Sequence, residues 1–484
     1  MRAAWLTVLG LAGQLALAGA GAIRAADASP GGDDELDGTV FGGSTAPTPA
    51  NLTANPSALM RLPDGLHLFL HGSARLDRLG IDRTLIDPSG ATRAGPSVSD
   101  SVVSGGGGAA VAKVGGRGHN VIAAGFRWHP DEATIDRDAT AYQGQADRSR
   151  RIDWVTIAFG FQPVNRVYVA LSGTLTGRRE HLAFARDTAL EAGSDPARGI
   201  GSDCGGAACG FENPAARESW SVDVEPDSIL STDNLMYSVG AMMEVTKDLW
   251  VAASTERPWQ LGRLTMPGTV DVTAAPRDGG AVHSGQASVT LRLPVVWRIG
   301  VRGRVMRGWD AIGEVRLRRL DRIGVYGLHT LGGDLVRGDV PEWYPRPRAL
   351  EDSYAAWGGL EQVDDGRVVR FGAWLGADSG ATDDAALSAT SPWGAELSAS
   401  IGLQLRLRER WVVQLGTQVR YQPAVDTGTS AYDPLARVAC VDSGYDRDLP
   451  ACATVRDGYG LPTAAGTYRR WSPLATLSLR IEVP

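Results

Sequence analysis

The chain has 484 residues, 43% of them hydrophobic and 21% charged, and a net charge of −7. A charge that small offers no basic face to nucleic acid, and beyond the N-terminus there is no apolar run of about 18 residues, which excludes helical membrane spans. The length would accommodate two or three soluble domains, but no shift in composition marks an internal boundary.

The N-terminus reads as an export signal. Arg2 supplies a positive end, Ala3 to Ala20 is apolar, and Ala20-Gly21-Ala22 and Ala26-Asp27-Ala28 both fit a small-residue cleavage site. Residues 1–28 are assigned to this signal, and no cysteine near either site could take a lipid. Residues 29–64 are an irregular Gly/Pro/Ala/Asp segment that leads into NLTANPSALMRLPDG, beginning at Asn51.

The pattern then changes to period two, the mark of β-strands. Leu66, Leu68, Leu70, Ala74 and Leu76 share one face, with His67, Phe69, His71, Ser73 and Arg75 opposite. Gly107–Val114 and Val121–His129 flank a turn at GGRGHN, and Ile122, Ala124, Phe126 and Trp128 make an outward face. Asp153–Phe161 and Val167–Thr176 flank QPVNR. A long loop is expected over Gly177–Thr232. The hairpin LMYSVGAMMEVTKDLWVAASTERPW follows, turning at Thr246-Lys247-Asp248. GQASVTLRLPVVWRIGVRGRV reads as one unit, turning at Met306–Trp309 into AIGEVRLRRL. SYAAWGGLEQV turns at DDGR into VVRFGAWLG, and Leu397–Leu407 turns at RER into WVVQLGTQVRY. WSPLATLSLRIEVP closes the chain.

Six short-turn hairpins plus an opening and a closing strand give roughly fourteen strands, an even number, as single-chain bacterial barrels have. Both ends then fall on the short-turn rim. Trp250, Trp309 and Trp411 each follow a short turn, where an aromatic girdle would lie. The expected fold is all-β, a transmembrane antiparallel barrel over residues 65–484. The competing architecture is a large soluble β-protein.

Cys204 and Cys209 form one close pair and Cys440 and Cys452 another, both in polar loops. In an oxidising compartment such pairs staple loops as disulfides; a zinc site is the rival reading and would need all four brought together. His67 and His71 share an inward face, as metal ligands or as wetted lumen side chains. His119 and His129 could join either in a hydrolytic site, but no G-x-S-x-G context accompanies them. No cofactor is expected.

Several stretches together resemble the FadL family of outer-membrane transporters for long-chain fatty acids and other hydrophobic compounds. NLTANPSALMRLPDG is similar to the family's Asn-Pro-Ala segment, with Ser57 in place of the alanine. VTKDLWVAASTERPW, ASVTLRLPVVWRIGVRGRV and LEDSYAAWGGLEQVDDGRVVRFGAWLGADS are similar to successive family strands. The chain ends in Pro484 rather than the aromatic residue of a barrel-assembly signal.

The resemblance implies an N-terminal plug in the lumen over residues 29–64, with Asn55, Pro56 and Ser57 positioning an inner pocket. It implies a hydrophobic small-molecule substrate, a bacterial outer-membrane location, and lipid, lipopolysaccharide and the barrel-assembly machinery as partners. It also implies sideways release at a kink in the third strand, where Gly125 is the candidate because glycine weakens strand pairing; alternatively Gly125 relieves packing against the plug. An aqueous porin, a lipase-like barrel enzyme and an adhesion protein remain as other readings. Inward arginines (Arg298, Arg302, Arg316, Arg318, Arg370, Arg406, Arg420 and Arg480) could hold a carboxylate. They could equally pair with acids such as Glu244, Glu314 and Glu482.

Overall fold

The computed structural model describes residues 40–86, 92–116, 120–128, 132–133, 146–187, 217–228, 232–259, 263–320, 325–338, 340–347, 350–363, 366, 368–380, 382, 387, 394–407, 410–427 and 465–483. The residues read as an export signal, the four cysteines, His119 and His129 lie outside the described residues.

Among the described residues twenty strands follow in order. The first ten are β1 (Gly65–Ile86), β2 (Thr92–Gly115), β3 (Asn120–Trp128), β4 (Glu132–Ala133), β5 (Ala146–Val164), β6 (Val167–Asp187), β7 (Arg217–Val224), β8 (Leu235–Thr246), β9 (Leu249–Pro258) and β10 (Arg263–Thr273). The rest are β11 (Val282–Arg292), β12 (Val295–Met306), β13 (Trp309–Arg319), β14 (Val325–Leu331), β15 (Trp343–Pro347), β16 (Ser353–Gln362), β17 (Val369–Asp378), β18 (Glu396–Leu407), β19 (Trp411–Asp426) and β20 (Gly466–Val483).

Fourteen of them close into a cylinder. The antiparallel ladders run from β1 through β2, β3, β5, β6, β8 and β9. They continue through β12, β13, β16, β17, β18, β19 and β20, and return to β1. Closure leaves no unpaired sheet edge in the wall. Leu66 pairs with Val483, so the first and last strands meet on the rim that carries the short turns.

The alternation places side chains as the sequence requires. Leu70, Ile122, Ile157, Ile299, Phe371 and Ile401 are exposed on the outer face, while His67, Phe69, Val121 and Arg298 are buried inside. Trp309 and Trp411 face out near the short-turn rim, but Trp250 does not. Trp250 pairs with inward Arg302 and lies against Tyr168 at a tilt, ring centroids 5.8 Å apart. Proximity to a turn sets a tryptophan's height; only the register with its neighbours sets its face.

Beyond the long-loop rim the polarity reverses without a change of phase. On β1 the outward positions pass from Leu68 and Leu70 to Arg78 and Asp82, while the inward ones pass from His67 and Asp77 to buried Leu79 and Ile81. On β6 the outward face passes from Leu171 to Arg179, and Leu182 and Phe184 turn inward. A spanning strand needs only about 9–11 residues, and β1 has 22; its surplus stands above the apolar belt.

The expected long loop over Gly177–Thr232 therefore holds structure. β6 runs on to Asp187 and pairs with β7, and β10, β11, β14 and β15 extend the same sheet. This crown buries a core of Leu182, Phe184, Trp220, Val222, Met266 and Val289, among others. The single unit expected from Gly285 to Val305 divides at Leu293-Pro294. β11 belongs to the crown and β12 to the barrel, because Pro294 has no N–H to continue a ladder.

Candidate functional site

Residues 40–62 lie inside the cylinder, packed against strands on opposite sides of it. Two short 3-10 turns, Pro49–Leu52 and Pro56–Arg61, give the segment its shape. Pro56 suits the first position of such a turn, where its missing N–H would have no partner. Asn55 is fully buried. Its Nδ2 donates to the Ser44 carbonyl at 2.7 Å, its Oδ1 accepts from Ser57 Oγ at 2.7 Å, and its carbonyl accepts from the Ala58 N–H at 3.0 Å. Asn55 thus ties the two arms of the segment together, and Ser57 completes the knot.

The wall makes room with glycine. A Cβ at Gly240 on β8 would overlap Asn55 Oδ1, and one at Gly300 on β12 would overlap Ser44 Oγ. Gly125 on β3 faces Leu52, Gly160 on β5 faces Met60, and Gly372 on β17 and Gly402 on β18 face Val40. Six strands around the ring therefore lack a side chain where the segment touches them.

Two wall carboxylates hold the segment's backbone. Glu361 on β16 accepts from the Phe41 N–H at 2.6 Å, and Glu314 on β13 accepts from the Ser44 N–H. Glu361 is braced by Trp374 Nε1 at 3.0 Å and Arg302 Nη2 at 2.7 Å. At the other end Leu52, Leu59, Met60 and Leu62 pack on Phe69, Ala112, Val121 and Ala158. Burying each such side chain contributes about 1.5–3 kcal/mol. Arg61 donates to the Thr45 carbonyl at 2.6 Å and lies 5.1 Å over the Trp250 ring. Burial, then the neighbouring Arg302 charge, pushes its pKa down to about 9 against the pull of Asp310 and Glu361, so it stays cationic at neutral pH.

The inward arginines are engaged. Arg298 meets Glu256 at 3.5 Å, Arg302 meets Asp310 at 3.5 Å and Glu361 at 2.7 Å, and Arg316 and Arg318 share Asp378 at 3.2 and 3.0 Å. Arg406 and Arg480 meet Glu482 at 4.0 and 2.8 Å. Arg370 bonds Gln404 and Arg420 bonds Gln418. Of the three acids expected from sequence, Glu482 pairs with Arg406 and Arg480, and Glu314 holds the backbone of the segment.

Gly125 lies beside a register shift, between the pairs Gly125–Thr156 and Arg127–Asp153. The extra residue belongs to β5, since Asp153–Thr176 and Val155–Leu175 show the same slip against β6. Such a bulge bends the strand that carries it. His67 is buried with Nε2 2.8 Å from the Pro63 carbonyl. Among the described residues no group of three or more His, Cys, Asp or Glu is placed to hold a metal.

Gly240, Gly300, Glu361 and the Ser44 role of Glu314 were not singled out from sequence. Their signal was present: a glycine on the inward phase of an alternating strand is a gap in the wall.

Solved structures that share this fold include outer-membrane transporters and channels. A Pseudomonas aeruginosa FadL homologue matches with a TM-score of 0.68 at 12% identity, covering 94% of this chain and 99% of that one. The Pseudomonas putida toluene transporter TodX matches with a TM-score of 0.60 at 11% identity, covering 95% and 99%. The CymD monoaromatic hydrocarbon channel matches with a TM-score of 0.58 at 10% identity, again covering 95% and 99%. No family model and no curated protein matches the sequence. The chain has the FadL-type outer-membrane β-barrel fold.

Proposed function

We propose that the chain is a passive outer-membrane channel for hydrophobic small molecules, with residues 29–64 as its plug. The observation that carries this is the seating of residues 40–62 across the bore on glycines of six strands. An aqueous pore would give an apolar solute no stabilisation, whereas a filled bore with apolar lining offers it successive binding surfaces. The β5 bulge beside Gly125 supports sideways release there, because a bent strand loosens the ladder at one height.

Replacing Asn55 with alanine strands the Ser44 carbonyl and the Ser57 hydroxyl in a buried site, costing about 1–3 kcal/mol for each unsatisfied group. Uptake of a labelled hydrophobic solute is expected to change while the heat-modifiable migration of the folded barrel does not. Unaltered uptake would count against the plug.

The paired state of the arginines favours a neutral solute over an anionic one. Proteoliposomes are expected to take up a long-chain fatty acid no faster than a hydrocarbon of matched length. A preference for the acid that disappears on mutating Arg370 or Arg420, whose side-chain partners above are amides, would restore carboxylate recognition.

A further inference from the structure

On the outer face, where β19, β20, β1 and β2 rise past the apolar belt, one ladder row reads Tyr421, Trp471, Arg78, Ser101. All four are exposed. Below this row the face is apolar, with exposed Leu70, Val103 and Leu477; above it stand Gly80, Asp82, Ser97, Ser99, Thr467 and Arg469. The row marks the level at which the exposed face changes from apolar to polar.

We propose that this row binds the phosphorylated glucosamine headgroup of lipid A, the glycolipid of the outer leaflet; the proposal rests on the outer-membrane reading above. The Arg78 guanidinium lies 5.7 Å from the Trp471 ring centroid. Contact with the ring fixes the height of the guanidinium, whose planar set of N–H donors suits phosphate oxygens. Among the described residues no carboxylate pairs with Arg78.

Arg469 is the diagonal neighbour of Arg78, opposite Gly80. Its chain lies flat across Gly80, where a Cβ would come within 2.8 Å of Nε. Asp82, further out, holds the guanidinium at 3.0 Å. Diagonal partners stand about 7–8 Å apart at Cα, close enough for two guanidinium groups to share one phosphate. Asp82 holds Arg469, and exposed Asp426 stands opposite Thr467 at the same height, so Arg78 is the cation of this patch that no described carboxylate meets. Ser99 and Ser101 beside it are small and polar, so a sugar ring can approach the backbone. Tyr421 and Trp471 offer apolar faces to the acyl chains just below.

The test uses the folded full chain in detergent, followed by its heat-modifiable unfolding temperature. Bisphosphorylated lipid A is expected to raise that temperature, and dephosphorylated lipid A or phosphatidylglycerol to raise it far less. Arg78→Ala with Arg469→Ala should weaken lipid A binding by about tenfold or more, the loss expected for charge-assisted contacts. Equal shifts from phosphorylated and dephosphorylated lipid A in the unaltered protein would overturn the site, whatever the variant does. Equal response to phosphatidylglycerol would overturn its glycolipid character. Solute uptake by the double variant is expected to match the unaltered chain, so the site and the channel reading fail separately: the lipid arms judge the first, and uptake by the unaltered protein judges the second.

Discussion

Replacing Glu361 with alanine is expected to unseat the start of the lumenal segment, the proposed plug, and open the bore to small polar solutes. The carboxylate is buried and serves three donors at once: the Phe41 N–H, Trp374 Nε1 and Arg302 Nη2. Its removal leaves Arg302 with Asp310 at 3.5 Å and leaves a backbone N–H facing an empty site. Breaking a buried pair by deleting one partner typically costs about 3–5 kcal/mol, because the other charge is left behind without compensation. Much of that cost falls on the folded plug, since Phe41 and Val40 pack on Ile312, Trp357 and Trp374 only while their backbone is held. Glu361→Gln keeps an acceptor for Phe41 and loses the ion pair, so its effect should be smaller. Liposome swelling and limited proteolysis of the N-terminal segment give the readouts. A Glu361→Ala barrel that stays sealed, with a protected N-terminus, would show that the carboxylate does not hold the plug.

Most of the barrel was legible because lipid on one side and a packed lumen on the other force strict alternation. The count of spanning strands follows from the turns, since GGRGHN, QPVNR and TKD cannot be anything but short reversals. The crown was missed for a different reason. LTMPGTVDV alternates apolar residues at Leu264, Met266, Val270 and Val272, all buried, but Pro267 and Gly268 mask the rhythm. Pro267 sits in the ladder opposite Ser288. WSVDV at Trp220 to Val224 carries the same signal in too few residues to stand alone. The inverted polarity above the belt hid the crown further, because a strand with apolar residues on its inner face looks out of phase with its own spanning half.

The site was harder to read than the wall. Asn55 and Pro56 could be picked out as a local motif, yet the wall they press on at Gly240 is separated from them by nearly two hundred positions of sequence. Glu361 and Gly240 are unremarkable in their own strands. They become functional only because the closed ring brings β8 and β16 against one segment, and no local pattern encodes that meeting. Trp250 shows the same limit: its place after a turn suggested a lipid-facing anchor, but the register makes it the platform under Arg61.

Gly240→Val should separate the plug from the barrel more cleanly than any truncation. The new side chain points inward, where its Cβ would overlap Asn55 Oδ1 and lie 3.3 Å from Pro56 Cδ. The ladders to β6 and β9 run through the backbone and are untouched, and valine suits a strand better than glycine does. The barrel is therefore expected to keep its heat-modifiable migration. Asn55 cannot step aside, because it is bonded to Ser44 on one arm and Ser57 on the other. Forcing added volume into such a packed site costs about 1–3 kcal/mol, which shifts seating of the plug by roughly 5–150-fold. Flux of a hydrophilic dye into proteoliposomes should rise accordingly. Gly173→Val on β6 is the matched control, since a Cβ there meets nothing within 4 Å and flux should not move. If Gly240→Val proved as tight as the unaltered protein, Asn55 and its neighbours would not be what closes the bore.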